Sequence, residues 1–327
     1  MNFLRSNRQY PVHFTISDSY IRFVQSDRNR TFHAYGQKCL PPGVVVEGHI
    51  KERDTLGMIV DEMVDNWKLK GSKMSFCVPN EFVILRKTVV PLEIMEEELT
   101  GYLYMQLGES IHLPFEDPLL VPVLLKETEE NKEVLLIASK ESVLQEFSEL
   151  FRESSLKPVV ADLSMLAAYR TYFHLGLATN DEHVLMIQIG LKTMILSVFH
   201  QYKPVFVHHF RPSFSDESFE IVKNRRGAEY YTCHDDDETL AGQARDIVME
   251  IQRFISYYRF NLTGGKYEIS KLLVMGDHPC IEAFYRNMKE AFELEMDVQS
   301  MLQPIFQTKK GTNIPSVYTE CIGLALK

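Results

Sequence analysis

Residues 183–199 read His183-Val184-Leu185-Met186-Ile187-Gln188-Ile189-Gly190-Leu191-Lys192-Thr193-Met194-Ile195-Leu196-Ser197-Val198-Phe199. Two apolar runs, 184–189 and 193–199, flank a short Gly-Leu-Lys turn, which is the pattern of a strand pair covered on both faces. A third strand follows at 204–210. The N-terminal region begins in the same way: an alternating run from Pro11, a tight turn at Ser17-Asp18-Ser19, and a second strand over 20–25. Two hairpin-led halves predict two α/β lobes, and 327 residues exceed what one hydrophobic core ordinarily supports. The two halves share no close sequence repeat, so the correspondence is architectural.

Working outward, the first half continues through the turn Pro41-Pro42-Gly43 and the run Val44-Val45-Val46. A helix opened by Asp54 as N-cap then carries Leu56, Ile59, Val60, Met63, Val64 and Trp67 at helical spacing, and a strand follows at 73–78. Between residues 91 and 157 the order helix, strand, strand, helix predicts a small inserted subdomain. Its first helix has Met95, Leu99, Tyr102, Leu103, Leu107 and Ile111 on one face, and its last has Val143, Leu144, Phe147, Leu150 and Phe151. The chain returns to the first lobe at 158–178, turns through a polar hinge at 178–183, and completes a second lobe over 179–327. The polar stretch 213–237 reads as a surface loop. The longest amphipathic helix spans about 238–260 and is ended by Gly264-Gly265. A strand at 272–275 and a helix carrying Ile281, Phe284, Tyr285, Met288 and Phe292 then make a βα unit.

Composition narrows the function classes. A net charge of −10 is opposite to the concentrated basic face that phosphate backbones require, so nucleic acid is not an expected partner. Five scattered cysteines lack metal-ligand spacing and suit a reducing cytoplasm, and no metal site is expected. The N-terminus has no secretory apolar core, because Arg5, Arg8 and His13 interrupt it, and no apolar stretch approaches the ~20 residues of a membrane span. The acidic run His234-Asp235-Asp236-Asp237-Glu238 reads as a solvated stretch feeding the positive N-terminus of the long helix.

Four motifs occur together in order: Leu40-Pro41-Pro42-Gly43-Val44 with Glu47-Gly48-His49-Ile50, Ile111-His112-Leu113-Pro114-Phe115-Glu116-Asp117, Ile251-Gln252-Arg253-Phe254-Ile255-Ser256-Tyr257-Tyr258, and the closing Gly323-Leu324-Ala325-Leu326. Through them the chain resembles the PilM family of type IV pilus assembly proteins, relatives of the cell-division protein FtsA in the actin-like ATPase superfamily. The resemblance implies an actin-like (ribonuclease H-like) two-lobed α/β fold with an inserted small α/β subdomain. It also implies a cytoplasmic component that docks on the N-terminal tail of the inner-membrane protein PilN, in a groove between the insert and the first lobe. On the insert, Tyr102, Leu103 and Leu107 are the expected partner contacts.

Actin-like ATPases hold phosphates between two hairpin turns whose aspartates organise a magnesium shell. Where the first turn of such proteins reads D-x-G, this chain has Thr15-Ile16-Ser17. Where the second reads D-x-G-x-x-T, it has Gln188-Ile189-Gly190-Leu191-Lys192-Thr193, and the adenosine turn is Met275-Gly276-Asp277-His278. Ser17, Ser19, Gln188, Gly190, Thr193 and Gly276 are therefore the expected remnant of a nucleotide site. Neither magnesium-organising acid is present. The expectation is an assembly scaffold and not an enzyme, without a cofactor; the alternative is an ATP-binding actin-like ATPase of pilus or secretion-system assembly.

Overall fold

The computed structural model describes residues 9–225, 227–292, 297–300, 304 and 306–327, with the side chains of Asp216 and Gln299 excepted. The N-terminal Arg5 and Arg8, and Arg226 of the second-lobe loop, lie outside the described residues. The first lobe opens with β1 (Val12–Ile16) and β2 (Tyr20–Ser26), an antiparallel pair in register from Val12↔Gln25 to Ile16↔Ile21. The hairpin turn is closed by Ser17, whose N–H donates to the Tyr20 carbonyl at 2.9 Å while its Oγ accepts the Ser19 and Tyr20 amides. β3 (Phe32–Cys39) pairs with β2, and the short β4 (Val45–Val46) and β5 (His49–Ile50) lead into α1 (Arg53–Asn66) and β6 (Lys73–Val78). α1 lacks the expected Asp54 cap. Glu52 holds the cap position without bonding a helix amide, its carboxylate accepting the Thr55 hydroxyl instead, and Asp54 lies inside the first turn, where its charge still faces the positive helix end.

The insert follows as β7 (Val83–Pro91), α2 (Leu99–Met105), β8 (Pro118–Glu127) and β9 (Asn131–Lys140), a three-stranded antiparallel sheet in the order β7-β9-β8. Its limits differ from the 91–157 read from the sequence. β7 pairs along its whole length with β9, so the insert begins at Val83. The next helix, α3 (Glu141–Glu153), buries Val143, Phe147, Leu150 and Phe151 in the first-lobe core beside α1, so the insert ends at Lys140. The first insert helix is also shorter than its apolar spacing suggests. The chain leaves it after Met105, and Gly108, at φ 82°, helps fold Ile111 back onto Leu107.

β10 (Lys157–Leu163) completes the first-lobe sheet, order β10-β6-β1-β2-β3, and α4 (Ser164–His174) crosses to the second lobe. There β11 (Val184–Ile189), β12 (Met194–His200) and β13 (Lys203–Phe210) form the meander expected from the opening stretch. Residues 213–237 are not simply a loop: they hold a second hairpin, β14 (Phe219–Lys223) with β15 (Glu229–Cys233). The polar alternation of these strands hid them, because they pack on the other lobe. α5 (Asp237–Tyr257) starts at Asp236, whose carboxylate accepts the Thr239 amide, and it passes into a π-turn before Gly264 and Gly265. β16 (Lys271–Gly276), α6 (Ile281–Phe292) and β17 (Asp297–Ser300) complete a sheet of order β13-β12-β11-β16-β17, with α5 and α6 packed on one face.

The last elements, β18 (Phe306–Gln307), β19 (Asn313–Ile314) and α7 (Thr319–Ala325), do not stay with the second lobe as the 179–327 division expects. Ile314, Tyr318, Cys321 and Ile322 pack on Val24 and Phe32 of the first-lobe sheet. α7 crosses α4 at backbone contact: a Cβ on Gly323 would lie 1.8 Å from the Ala167 carbonyl oxygen. The insert joins the same junction, since Val83, Leu135 and Ile137 share a buried cluster with Met165 and Tyr169 of α4 and with Val184 and Met186.

Candidate functional site

Between the lobes lies a cleft of about 120 Å³, lined by both hairpin turns, the turn after β16, and the first residues of α4 and α7. All six residues expected as the nucleotide remnant, Ser17, Ser19, Gln188, Gly190, Thr193 and Gly276, line it. Each is already engaged with the protein or is held by geometry. Ser17 closes its own turn. The Gly190 amide donates to the Thr193 carbonyl at 2.8 Å. Gly276 has φ 144°, and a Cβ there would lie 2.0 Å from the Ile189 carbonyl oxygen, so close approach of β11 and β16 accounts for this glycine.

The positions where magnesium-organising acids would stand carry Thr15 and Gln188, both buried. Thr15 Oγ1 lies 3.4 Å from Cys321 Sγ, and Gln188 Nε2 donates to Glu320 Oε1 at 2.9 Å. Asp18 lines the cleft, but its carboxylate is committed to the protein's own backbone. Its two oxygens accept the Glu47 and Gly48 amides at 2.8 and 2.9 Å, which gives the Glu47-Gly48-His49-Ile50 motif a structural role.

Sequence reasoning missed the group at the centre. Arg22, on β2, donates from one terminal guanidinium nitrogen to Asp277 Oδ2 at 2.8 Å, and from Nε to Gln37 Oε1 at 3.0 Å, while its guanidinium stacks over Tyr20 at 3.9 Å. Burial alone would depress its pKa, but Asp277 and Tyr20 more than reverse this and hold it above the ordinary arginine value. The signal available was one charged residue inside the apolar run Ile21-Arg22-Phe23-Val24. Glu320 had no such signal. Burial, and then the neighbouring Asp277 charge, push its carboxyl up to about 7, with Arg22 opposing.

Asp18, Glu81, Asp277 and Glu320 face this cleft with Arg22 and Lys192, so its charge balance is acidic. The orphaned buried atoms there are both acceptors, Asn80 Oδ1 and Gln188 Oε1. A polyanion entering this space meets an excess of like charge, and the buried side-chain atoms left unpartnered there accept rather than donate.

The expected partner contacts fare differently. Leu103 is fully buried in the insert's own core, and Tyr102 and Leu107 pack half-buried against the same cluster. Leu103 is therefore not a surface contact: its position on α2 faces the sheet. The exposed apolar side chains of the insert are instead Met105 at 70%, Met95 at 61%, Val89 at 58%, Val121 at 47% and Tyr104 at 40%. The outer edge of β8 is protected from strand addition: Pro118 and Pro122 have no N–H, Tyr104 Oη accepts the Leu120 amide, and Lys203 Nζ donates to the Leu124 carbonyl. The acidic run before α5 works as a cap: Asp235 accepts from Ser218 and Gln243, and Asp236 from Thr239. Among the described residues no group of three or more His, Cys, Asp or Glu side chains could hold a metal ion.

Two α/β lobes around a cleft, each led by a hairpin, joined by crossing helices and carrying an insert on the first, make an actin-like protein. The profile of the type IV pilus assembly protein PilM family matches residues 15–211, and the chain belongs to that family. Among solved structures it is similar to a chain of a PilM–PilN type IV pilus biogenesis complex, at 18% identity, with 98% of each chain covered and a TM-score of 0.74. It is also similar to the ethanolamine utilization protein EutJ from Carboxydothermus hydrogenoformans, at 13% identity over 97% of this chain and 89% of that one, with a TM-score of 0.52.

Proposed function

We propose that this protein is a cytoplasmic scaffold of a type IV pilus machine, recruited to the inner face of the membrane by the N-terminal tail of a PilN-like protein, and that its nucleotide cleft is degenerate. The observation that carries the degenerate-cleft reading is the pair Thr15 and Gln188, two neutral side chains committed to Cys321 and Glu320 where a magnesium shell needs carboxylates. The partner reading draws on the family and on the PilN chain in the similar complex. Among the described residues no helix is long and apolar enough to cross a membrane, which is consistent with attachment through a partner.

Isothermal titration separates the two halves of this reading. Magnesium-ATP should give no saturable heat, and saturable binding would refute the degenerate cleft. A synthetic PilN-like tail peptide should bind. Met105→Asp and Val121→Asp, whose side chains are 70% and 47% exposed, should weaken it at unchanged thermal melting. Tail affinity that survives both, and also survives Met95→Asp, would move the binding surface off the insert.

A further inference from the structure

The hairpin β14–β15 belongs to the second lobe by sequence but grips the first. Tyr231 Oη donates to the Leu40 carbonyl at 2.8 Å, the Tyr231 amide donates to Tyr20 Oη, and the Cys39 amide donates to Glu229 Oε2, both at 3.3 Å. Tyr20 and Cys39 pack there with Leu191, Phe219, Ile221 and Tyr231. Gln37 connects this grip to the cleft: its Oε1 accepts from Arg22 Nε, and its Nε2 donates to the Glu229 carbonyl at 2.5 Å. One continuous network, Asp277–Arg22–Gln37–Glu229, therefore ties two separate second-lobe elements to one pair of first-lobe strands. The Arg22 and Asp277 side chains are 9% and 15% exposed, so water screens their attraction poorly.

We propose that Asp277 is a built-in anionic ligand: its carboxylate occupies Arg22 in place of a phosphate group and latches the two lobes shut with no bound nucleotide. The closure that a nucleotide would impose from outside is then permanent, and the surfaces presented to partners stay in one arrangement. A carboxylate oxygen is a charged acceptor of the kind a guanidinium meets in phosphate, and here Asp277 Oδ2 takes one guanidinium N–H; being covalently held, it loses no ligand entropy on binding. This inference deepens the degenerate-cleft reading and rests on it.

The test is hydrogen exchange, without nucleotide, at the Tyr231 and Cys39 amides, whose acceptors lie on the opposite lobe. In Asp277→Asn, which keeps the shape and removes the charge, both amides should exchange at least about tenfold faster than in the wild type, while β11 amides keep their protection. Inorganic pyrophosphate, added to that variant, should slow them again by occupying the freed Arg22. Should Asp277→Asn fail to fold, the double variant Arg22→Gln/Asp277→Asn leaves no unpaired buried charge and is read instead. Wild-type exchange rates in whichever variant folds overturn the latch. Absence of any pyrophosphate effect on folded Asp277→Asn overturns the phosphate-mimic part, and loss of folding in both variants overturns the latch, because the pair would then hold the fold itself and not the closure of folded lobes. Magnesium-ATP binding to the wild type is a separate result: it would sink the degenerate cleft without bearing on exchange in its absence.

Discussion

The lobes meet along two lines made of opposite materials. Where α4 crosses α7, contact is backbone against backbone, with Gly323 over Ala167, and Thr171 Oγ1 donates to the Thr319 carbonyl within a fully buried setting. In the cleft above, contact is made by side chains: Arg22 with Asp277, Gln188 with Glu320, and Arg211 with Glu47 at the rim. The crossing tolerates no added atom. The cleft tolerates loss of a bond at a graded cost set by exposure. A hinge of the first kind and a latch of the second allow the lobes one relative position, and each can be broken separately.

The largest effect is expected at the crossing. Gly323→Val places branched carbon where even a Cβ would sit 1.8 Å from a carbonyl oxygen, and no rotamer relieves a clash with backbone. The helices must part, so urea unfolding should show a loss of about 3 kcal/mol or more, with reduced soluble yield. Gly101→Ala is the control, since no atom lies within 4 Å of its Cβ, and there a small gain is expected. Equal losses at both glycines would mean that the crossing is not tightly packed.

Next comes the latch. Asp277→Asn and Arg22→Gln each strand a partner that is mostly buried, and each should lower stability by about 2–3 kcal/mol, below the fully buried range because the cleft admits water. The double variant should lose less than the sum. Additive losses would show that the pair, though 2.8 Å apart, contributes no coupling.

This contrast also marks what the sequence could reveal. The two outer cores were legible because Leu56, Val60, Met63 and Val64 on α1, and Ile247, Ile251 and Phe254 on α5, repeat at helical spacing, and periodicity is a local property. The six cleft residues were found because turn motifs are local too. The Arg22–Asp277 pair joins positions 255 apart, and its chemistry appears only once β2 and β16 face each other. The insert's limits were misplaced for a related reason: α3 has a clear apolar face, but periodicity does not say which sheet that face covers. Leu103 failed as a contact because an apolar helix stripe more often marks a core than a docking surface.

A smaller effect is expected from Glu320, whose ordinary carboxyl pKa of 4.5 rises to about 7 through burial and Asp277. Between those values the folded protein holds a proton that the unfolded chain has released, so stability falls as pH rises through this window and is level above about 7. Glu320→Gln keeps an acceptor for Gln188 Nε2 and removes the titration. Its advantage over the wild type should grow from near zero at pH 4 to about 2 kcal/mol at pH 8, discounted because solvent reaches part of the residue. A difference that does not change with pH would place the carboxyl in contact with bulk water.

The smallest effect belongs to Arg211 and Glu47, which also bridge the lobes, 2.8 Å apart, but with side chains 61% and 55% exposed. Distance alone would rank this pair with Arg22 and Asp277. Exposure separates them: water and salt screen the rim charges, and two long side chains lose rotamer freedom in holding one geometry. A double-mutant cycle with Arg211→Ala and Glu47→Ala should return a coupling of about 0.5 kcal/mol or less, falling further as salt is raised. Hydrogen exchange at the Tyr231 amide should not respond to either substitution, because neither residue belongs to the network through Gln37. If the rim pair instead couples by more than about 1.5 kcal/mol, or its loss speeds that amide, closure is spread along the whole cleft and the buried arginine is one contributor among several.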